Sequence, residues 1–434
     1  MPALPSPKLT FLNHAGFCLE YGGARLVTDP WVEGDIFNNS WSLLSPTPPT
    51  VFDCLANATH VWFSHEHPDH FYPPNVKKFL HGKHFLFQKT KDKRVISYLS
   101  GLSDKVTELN FGENYEITKR FNIMVFPFGR LDSYCIIEVG DITILNLNDC
   151  YITNDEEINF IQKQCPKVDI LFFQFSYAKG NTNKDETEKR RILAANKVSH
   201  LIKTIKRFKP TYTCPFASFI YFCNSDNYYL NDAINRIGDV ISQIKDLTIP
   251  LCFYPGDQWY IGDAVDSSAA IAKYKEDYKR IRPKDYGVTK VSLEQIMGKV
   301  QEYLAKTKKN NPLWPFYYYY RPDSFRIKFL LSDLQEMLNF DFKTGVSAGT
   351  KTADSVPICE LQSDSIMNLF SFDWGYDTLS IGGRYQTNEV GQRRLANIFK
   401  FSSKNYQGLF YNVGGIYLTL RDRIIQRPKY LPLR

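Results

Sequence analysis

The chain has 434 residues, 43% of them apolar and 23% charged, with a formal charge of +7. That length suits one large domain with an appendage, and that balance excludes a disordered or fibrous protein. No apolar run approaches the roughly 18 residues of a membrane-crossing helix, and no concentrated basic arm marks a nucleic-acid binder. MPALPSPKLT lacks both the charged and the apolar part of a secretory signal. Neither nucleic acid nor a membrane is therefore expected as a partner.

KLTFLNH (8–14), GFCLEYGG (16–23) and ARLVTDP (24–30) read as short strands separated by glycine-containing turns. SPTPPT (45–50) reads as a loop, and THVWFS (59–64) as a buried strand running straight into HEHPDHF. FNIMVFPFG, SYCIIEVG and DITILNLN give three more strands over 121–148, with Gly140-Asp141 as a hairpin turn. A helix is expected over 186–208, its apolar face formed by Ile192, Ala195, Val198, Ile202, Ile205 and Phe208. Lys184, Lys189, Arg190 and Arg191 then read as its solvated face rather than a phosphate site. With VDILFFQF (168–175) before it and TYTCPFASF (211–219) after it, this segment makes a β–α–β alternation. SLEQIMGKVQEYLAK is a helix running into lysine-rich KTKKNNP, so the expected division is a catalytic domain over 1–300 and an α+β appendage over 301–434. The aromatic run WPFYYYYRP (314–322) favours a strand buried on both faces over the lining of a substrate channel.

The nine cysteines are scattered and form no CxxC or CxH pair. An ordinary thiolate zinc finger and a Rieske ligand set are thereby excluded. Buried, reduced thiols in a cytoplasmic protein are expected instead.

Only eight histidines occur, yet His65, His67 and His70 fall together in Ser64-His65-Glu66-His67-Pro68-Asp69-His70. A strand leaving through Pro68 can splay His65 and His67 towards one point, and Asp69 and His70 towards another. Imidazole with carboxylate is a ligand mix for zinc, iron or manganese rather than calcium or magnesium.

His-x-His-x-Asp-His after an apolar strand resembles the signature of the metallo-β-lactamase superfamily. That resemblance implies an α+β fold: a four-layer αββα sandwich with metals at the sheet edges. LNHAGFCLEYGGARLVTDPW (12–31) resembles the subset that includes ascorbate-phosphate lactonases and phospholipases of N-acyl ethanolamine lipids. SHEHPDHFYPPNVKKF, DSYCIIEVGDITILNLNDC, TYTCPFASF, YPGDQWYIG and WGYDTLSIGGR resemble, in order, segments of the metallo-β-lactamase part of the CMP-N-acetylneuraminate hydroxylase family. The resemblance implies hydroxylation of a small anionic or nucleotide-sugar-like substrate with iron, dioxygen and electrons. The family's Rieske domain has no counterpart here, so a separate ferredoxin or Rieske-type donor is expected.

The superfamily resemblance also makes Asp149 a bridging ligand between two metals. It implies two further histidines that the sequence lacks. VFPFGRLDS (125–133) has none, and in CPFASFIYFCNSDN (214–227) Asn224 or Asp226 stands nearest the expected place. The metal set is thus His65, His67, Asp69, His70 and Asp149, holding one or two iron ions or, alternatively, zinc. Asp69 and His14 are the catalytic candidates. His14 either orients a ligand or is a structural residue, Asp29 either accepts from a ligating imidazole or caps a turn, and His14 or Asp257 could complete a zinc site. His60, His81, His84 and His200 show no ligand spacing. Three functions follow: a non-haem iron monooxygenase or oxidase, favoured by the low imidazole count; a zinc-dependent hydrolase, lactonase- or phosphodiesterase-like, with a metal-activated water and Asp69 taking its proton; and, least favoured, a non-catalytic binding protein that keeps the fold with a weakened site.

Overall fold

The computed structural model describes residues 6–129, 131–152, 154–287, 290–349, 356–412 and 414. The outermost parts of the two expected domains, 1–5 and 415–434, lie outside the described residues.

Two seven-stranded sheets form the larger unit. The first runs, in spatial order, Gln258–Tyr260, Lys8–Asn13, Gly16–Tyr21, Ala24–Thr28, His60–Phe63, His84–Gln88 and Val106–Leu109. The second runs Ile249–Pro250, Tyr212–Phe216, Ile170–Gln174, Ile142–Asn146, Asp132–Val139, Phe121–Phe128 and Tyr115–Thr118. Gly140, at φ +62°, closes the expected two-residue hairpin between Val139 and Ile142. The helix Thr187–Phe208 crosses between the parallel strands Ile170–Gln174 and Tyr212–Phe216, as the β–α–β reading requires.

Strand alternation sorts the apolar side chains into layers. Phe11, Phe17, Leu19, Leu26 and Trp62 of the first sheet meet Ile123, Val125, Ile137, Ile144 and Phe172 of the second; Phe17 stacks on Phe172 at 4.5 Å. On the outer side of the first sheet, Cys18, Val27, Val61, Phe63 and Phe85 pack against Val51, Leu55, Val76 and Leu99 from three short helices. Outside the second sheet, Ile136, Leu145 and Leu171 lie in one core with Ile158, Ile161, Val198, Leu201 and Ile205 of the helices Asp155–Gln164 and Thr187–Phe208. The result is the expected αββα sandwich. The strands Lys8–Asn13, Ala24–Thr28, His60–Phe63 and Ile142–Asn146 all end at the same edge of it, and Asp132–Val139 begins there.

A smaller α+β unit follows. Its five-stranded sheet, in the order Gly345–Gly349, Glu336–Asp341, Arg326–Leu331, Ile358–Leu361 and Gln386–Thr387, carries the helices Leu293–Asn310, Ser363–Ser371, Gly375–Gly382 and Glu389–Tyr406. Ile296, Val300, Leu304, Phe329, Leu338, Phe370 and Phe399 share one core. A division at 300/301 would run through the first of these helices.

Four local readings change. SPTPPT is only partly a loop, because Pro49 opens the helix Pro49–Ala56, where its missing N–H is no loss. The long helix buries Ala194, Val198, Leu201 and Ile205, while Ile192 is 54% exposed and Ala195 faces water too. Arg190 is no solvated residue. It is fully buried, its guanidinium forking onto Asp232 at 2.7 and 2.6 Å. Finally, WPFYYYYRP is not a doubly buried strand but the helix Trp314–Tyr320, begun by Pro315 in its first turn, with Phe316, Tyr319 and Tyr320 in water. Among the described residues no helix is long and apolar enough to cross a membrane, and all nine cysteines are buried and unpaired.

Candidate metal centre

The common edge of the sandwich gathers the ionisable side chains. His65, His70, His14 and Asp69 are all buried there, which only partnered or metal-binding groups of this kind tolerate. The turn that aims them is anchored by Asp29, itself buried. Ser64 donates to its carboxylate twice, from the backbone N–H and from Oγ, each at 2.7 Å. His70 approaches the same carboxylate through Nδ1 at 2.8 Å. His14 and Asp29 both hold φ at +40°, a conformation that disfavours residues with a Cβ and that tends to mark functional sites.

These bonds decide which nitrogen each ring offers. His70 donates from Nδ1 to Asp29, and His65 has Nδ1 3.0 Å from Ser64 Oγ, so in both rings Nε2 points into the site. His67 differs. Its Nε2 lies 3.0 Å from Asp377 of the appendage, so Nδ1, hydrogen-bonded to His65 Nε2 at 2.9 Å, is the nitrogen turned to the site.

Three sets of donor atoms converge: His14, Asp69 and His70; His65, His70 and Asp149; and His65, His67 and Asp132. Asp69 Oδ2 stands 3.5 Å from His14 Nε2 and 3.3 Å from His70 Nε2, and Asp149 Oδ2 stands 3.5 Å from His70 Nε2. Both ring nitrogens of His14, Nε2 of His70 and Oδ1 of Asp69 are buried without a hydrogen-bond partner. Orphaned donors and acceptors of this kind, lined up within one small volume, fit metal ions.

The electrostatics agree. Burial lowers the pKa of His65, and the neighbouring His70 and His67 lower it further, which keeps its lone pair available. Burial opposes a proton on His70, but the charges of Asp69, Asp149 and Asp29 outweigh it and raise its pKa well above the usual value. Burial also pushes Asp132 up to about 6. Carboxylates crowded into so little water call for cations.

The structure thus brings His65, His67, Asp69, His70 and Asp149 together, and adds His14 to them. Asp29 takes the role of orienting a histidine. Asn224 and Asp226 do not join: Asp226 pairs with Arg384 of the appendage at 3.2 Å. Asp257 instead caps its own turn through Tyr254 N–H. Two participants were not expected. Asp132 sits within VFPFGRLDS, the stretch that lacks the histidine, and a search there for any metal-binding type would have found it. Asp377 carries no local signal.

A cavity of about 470 Å³ opens over the site, lined by His67, Asp69, Asp132, Asp149 and Asp377 together with Tyr151, Tyr177, Lys179 and Lys197. Lys197 donates to Gln174 Oε1, and Gln174 Nε2 donates to Asp149 at 3.1 Å. A second, more apolar chamber of about 410 Å³ reaches His67 from the other side, between Phe37, Phe71 and Tyr98 of the sandwich and Phe372, Trp374 and Tyr406 of the appendage.

Residues 8–174 match the beta-lactamase superfamily domain. Over 271 residues the chain is 26% identical to the inactive cytidine monophosphate-N-acetylneuraminic acid hydroxylase of Homo sapiens, covering 54% of this chain and 52% of that one. To the cytidine monophosphate-N-acetylneuraminic acid hydroxylase of Pan troglodytes it is also 26% identical over 271 residues, covering 54% and 44%. The chain thus spans about half the length of the curated relatives it matches. Among solved structures, CmlA, a diiron beta-hydroxylase from Streptomyces venezuelae, aligns at a TM-score of 0.41 with 12% identity, over 60% of this chain and 55% of that one.

Proposed function

We propose that the chain is a metalloenzyme, a non-haem iron monooxygenase or oxidase acting on a small anionic substrate, with electrons from a separate ferredoxin or Rieske-type protein in a reducing, cytoplasmic setting. The observation that carries this reading is the composition of the donor sets: each of the three consists of two imidazoles and one carboxylate. That is the arrangement of non-haem iron oxygenases. Likeness to the hydroxylases supports the same choice and suggests a nucleotide-linked sugar as substrate.

Iron held by these side chains would supply the one-electron chemistry that dioxygen requires. The protein's own contribution is positional. Asp29 and Ser64 fix His70 and His65 with Nε2 inward, so the ligands need no rearrangement on loading. Lys179 and Lys197 bring positive charge to a cavity also lined by the carboxylates of Asp69, Asp132, Asp149 and Asp377, which suits a phosphate or carboxylate on the substrate. Tyr151 and Tyr177 give it aromatic walls. The chamber beyond His67 offers a drier compartment for the remainder of the molecule.

A zinc-dependent hydrolase is the second reading, because two imidazoles with one carboxylate also form a catalytic zinc set. The test is metal analysis of protein purified without oxygen, followed by turnover assays with and without dioxygen and an added reductase. One or two equivalents of iron, and product only when both dioxygen and reductant are present, are expected. Zinc at stoichiometry with steady turnover under argon would overturn the oxygenase and establish the hydrolase.

A further inference from the structure

The helix Trp314–Tyr320 turns two unlike faces. Trp314, Tyr317 and Tyr318, at helical spacing, look into the appendage: Tyr318 donates to Asp341 at 2.8 Å, Trp314 lies 5.6 Å from Phe342, and Tyr317 lies 5.8 Å from Phe401. Phe316, Tyr319 and Tyr320 repeat that spacing on the opposite face, where they are 73%, 64% and 80% exposed. Single exposed aromatics are ordinary, but three adjoining ones on one turn form a patch that asks for a partner.

Two cations border the patch. Lys343 Nζ stands 4.8 Å from the Tyr319 ring and Arg321 stands 5.5 Å from Tyr320. The nearby carboxylates, Asp323 and Asp341, are both paired with Arg326, at 3.4 and 2.7 Å. The patch is therefore aromatic at its centre and positive at its edge.

We propose that this face docks on the surface of an anionic lipid bilayer. Tyr319 and Tyr320 enter the headgroup layer, where aromatic rings with one polar end are at home, and Phe316 beside them buries its apolar ring deeper. Arg321 and Lys343 meet the negative headgroups, each adding attraction near the surface. Side chains this exposed project outward, which suits insertion into a soft surface better than the lining of a protein groove. The overall charge of +7 favours the same encounter. Docking of this kind needs no membrane-crossing helix, so the lack of one among the described residues does not exclude a membrane as partner.

The experiment is co-sedimentation of the full chain with vesicles of phosphatidylcholine alone and of phosphatidylcholine with about 30% phosphatidylserine, in about 0.15 M salt. Binding to the anionic vesicles and little to the neutral ones is expected. The triple variant Phe316→Ala, Tyr319→Ala, Tyr320→Ala should lower the bound fraction about tenfold by losing its apolar contact. Arg321→Glu with Lys343→Glu should weaken binding as well. All five positions are exposed, so circular dichroism and metal content should match the parent in both variants. Failure of the parent to bind anionic vesicles overturns the proposal, as does a triple variant that sediments like the parent. Loss of self-association in the triple variant, without any vesicle binding by the parent, would make the face a contact between copies and end the lipid reading.

Discussion

The two ends of the metal centre are built differently. His14, Asp69 and His70 are buried, and all three belong to the sandwich. His67 and Asp132 are partly open to the cavity, and His67 is held by Asp377 from a separate core some 310 positions along the chain. The inner set is therefore positioned by the sandwich alone, whereas the outer set, whose ligands also lie in the sandwich, has His67 oriented by Asp377 of the appendage. Rigid ligands on strand ends should bind tightly and fail together; a ligand steadied from another unit should be adjustable.

His70→Ala tests that contrast most severely. His70 belongs to two of the three donor sets, and its removal leaves Asp29 and Asp69 buried with one partner fewer. Loss of metal from the inner set is expected, while His65, His67 and Asp132 keep their three ligands, with a destabilisation of about 3–5 kcal/mol in denaturant unfolding, typical of breaking a buried charged pair. Wild-type metal content in this variant would show that the convergence of Nε2 atoms has no bearing on metal.

Asp29→Asn is gentler. The amide oxygen can still accept from Ser64, but the negative charge that orients His70 is gone. A fall of about 10–100-fold in metal affinity is expected, the range for outer partners of ligating histidines, and it should fall on the inner set first. Equal weakening of both sets by competition with a chelator would erase the distinction between them.

How much of this centre was legible depended on sequence distance. His65, His67, Asp69 and His70 are neighbours in one turn, so strand alternation alone brings them near one point. Asp149 could be placed near the site because it closely follows an apolar strand, and the structure puts its carboxylate in one of the three donor sets. His14 and Asp29 stayed ambiguous, since a residue that orients a ligand and one that caps a turn look alike in sequence, and only the positive φ values and the fork onto Ser64 and His70 separate them. Asp132 was passed over because an imidazole was sought where a carboxylate stands. Asp377 could not be found, because pairing across two cores leaves no periodic trace. The aromatic helix was misread for another reason. Four tyrosines in a row carry no alternation of polar and apolar residues, their β preference is strong, and only Pro315, a residue favoured in a first helical turn, argued otherwise.

Asp132→Ala should split the two sets. Only the set of His65 and His67 loses a ligand, so about one metal equivalent should disappear while the set of His14, Asp69 and His70 keeps its own. Because Asp132 is partly open to the cavity, its loss should hardly move the melting temperature. Simultaneous loss of both metals would mean that the sets are a single cooperative centre.

Asp377→Asn should have the smallest effect, and it appears in the pH dependence. Burial opposes a proton on His67, but the hydrogen bond and charge of Asp377 outweigh it and raise its pKa to about 9. Below about 9, a metal entering the outer set must displace that proton, so affinity there rises with pH until His67 has titrated. Without the carboxylate, His67 moves back towards the ordinary value near about 6.5, and the affinity should level off at lower pH. The metal-free protein should show the opposite slope. A pKa raised in the folded state means that protonated His67 stabilises the fold fully below about 6.5 and that this contribution fades as pH climbs through about 9. The asparagine variant should therefore melt lower than the parent under mildly acidic conditions, and the gap should close by about pH 9. The pair stands partly in water, so the gap is expected to be modest. Melting curves and metal titrations across that window decide the matter: superimposable profiles for parent and variant would show that the appendage does not hold His67, and the adjustable outer set would have to be explained from the sandwich alone.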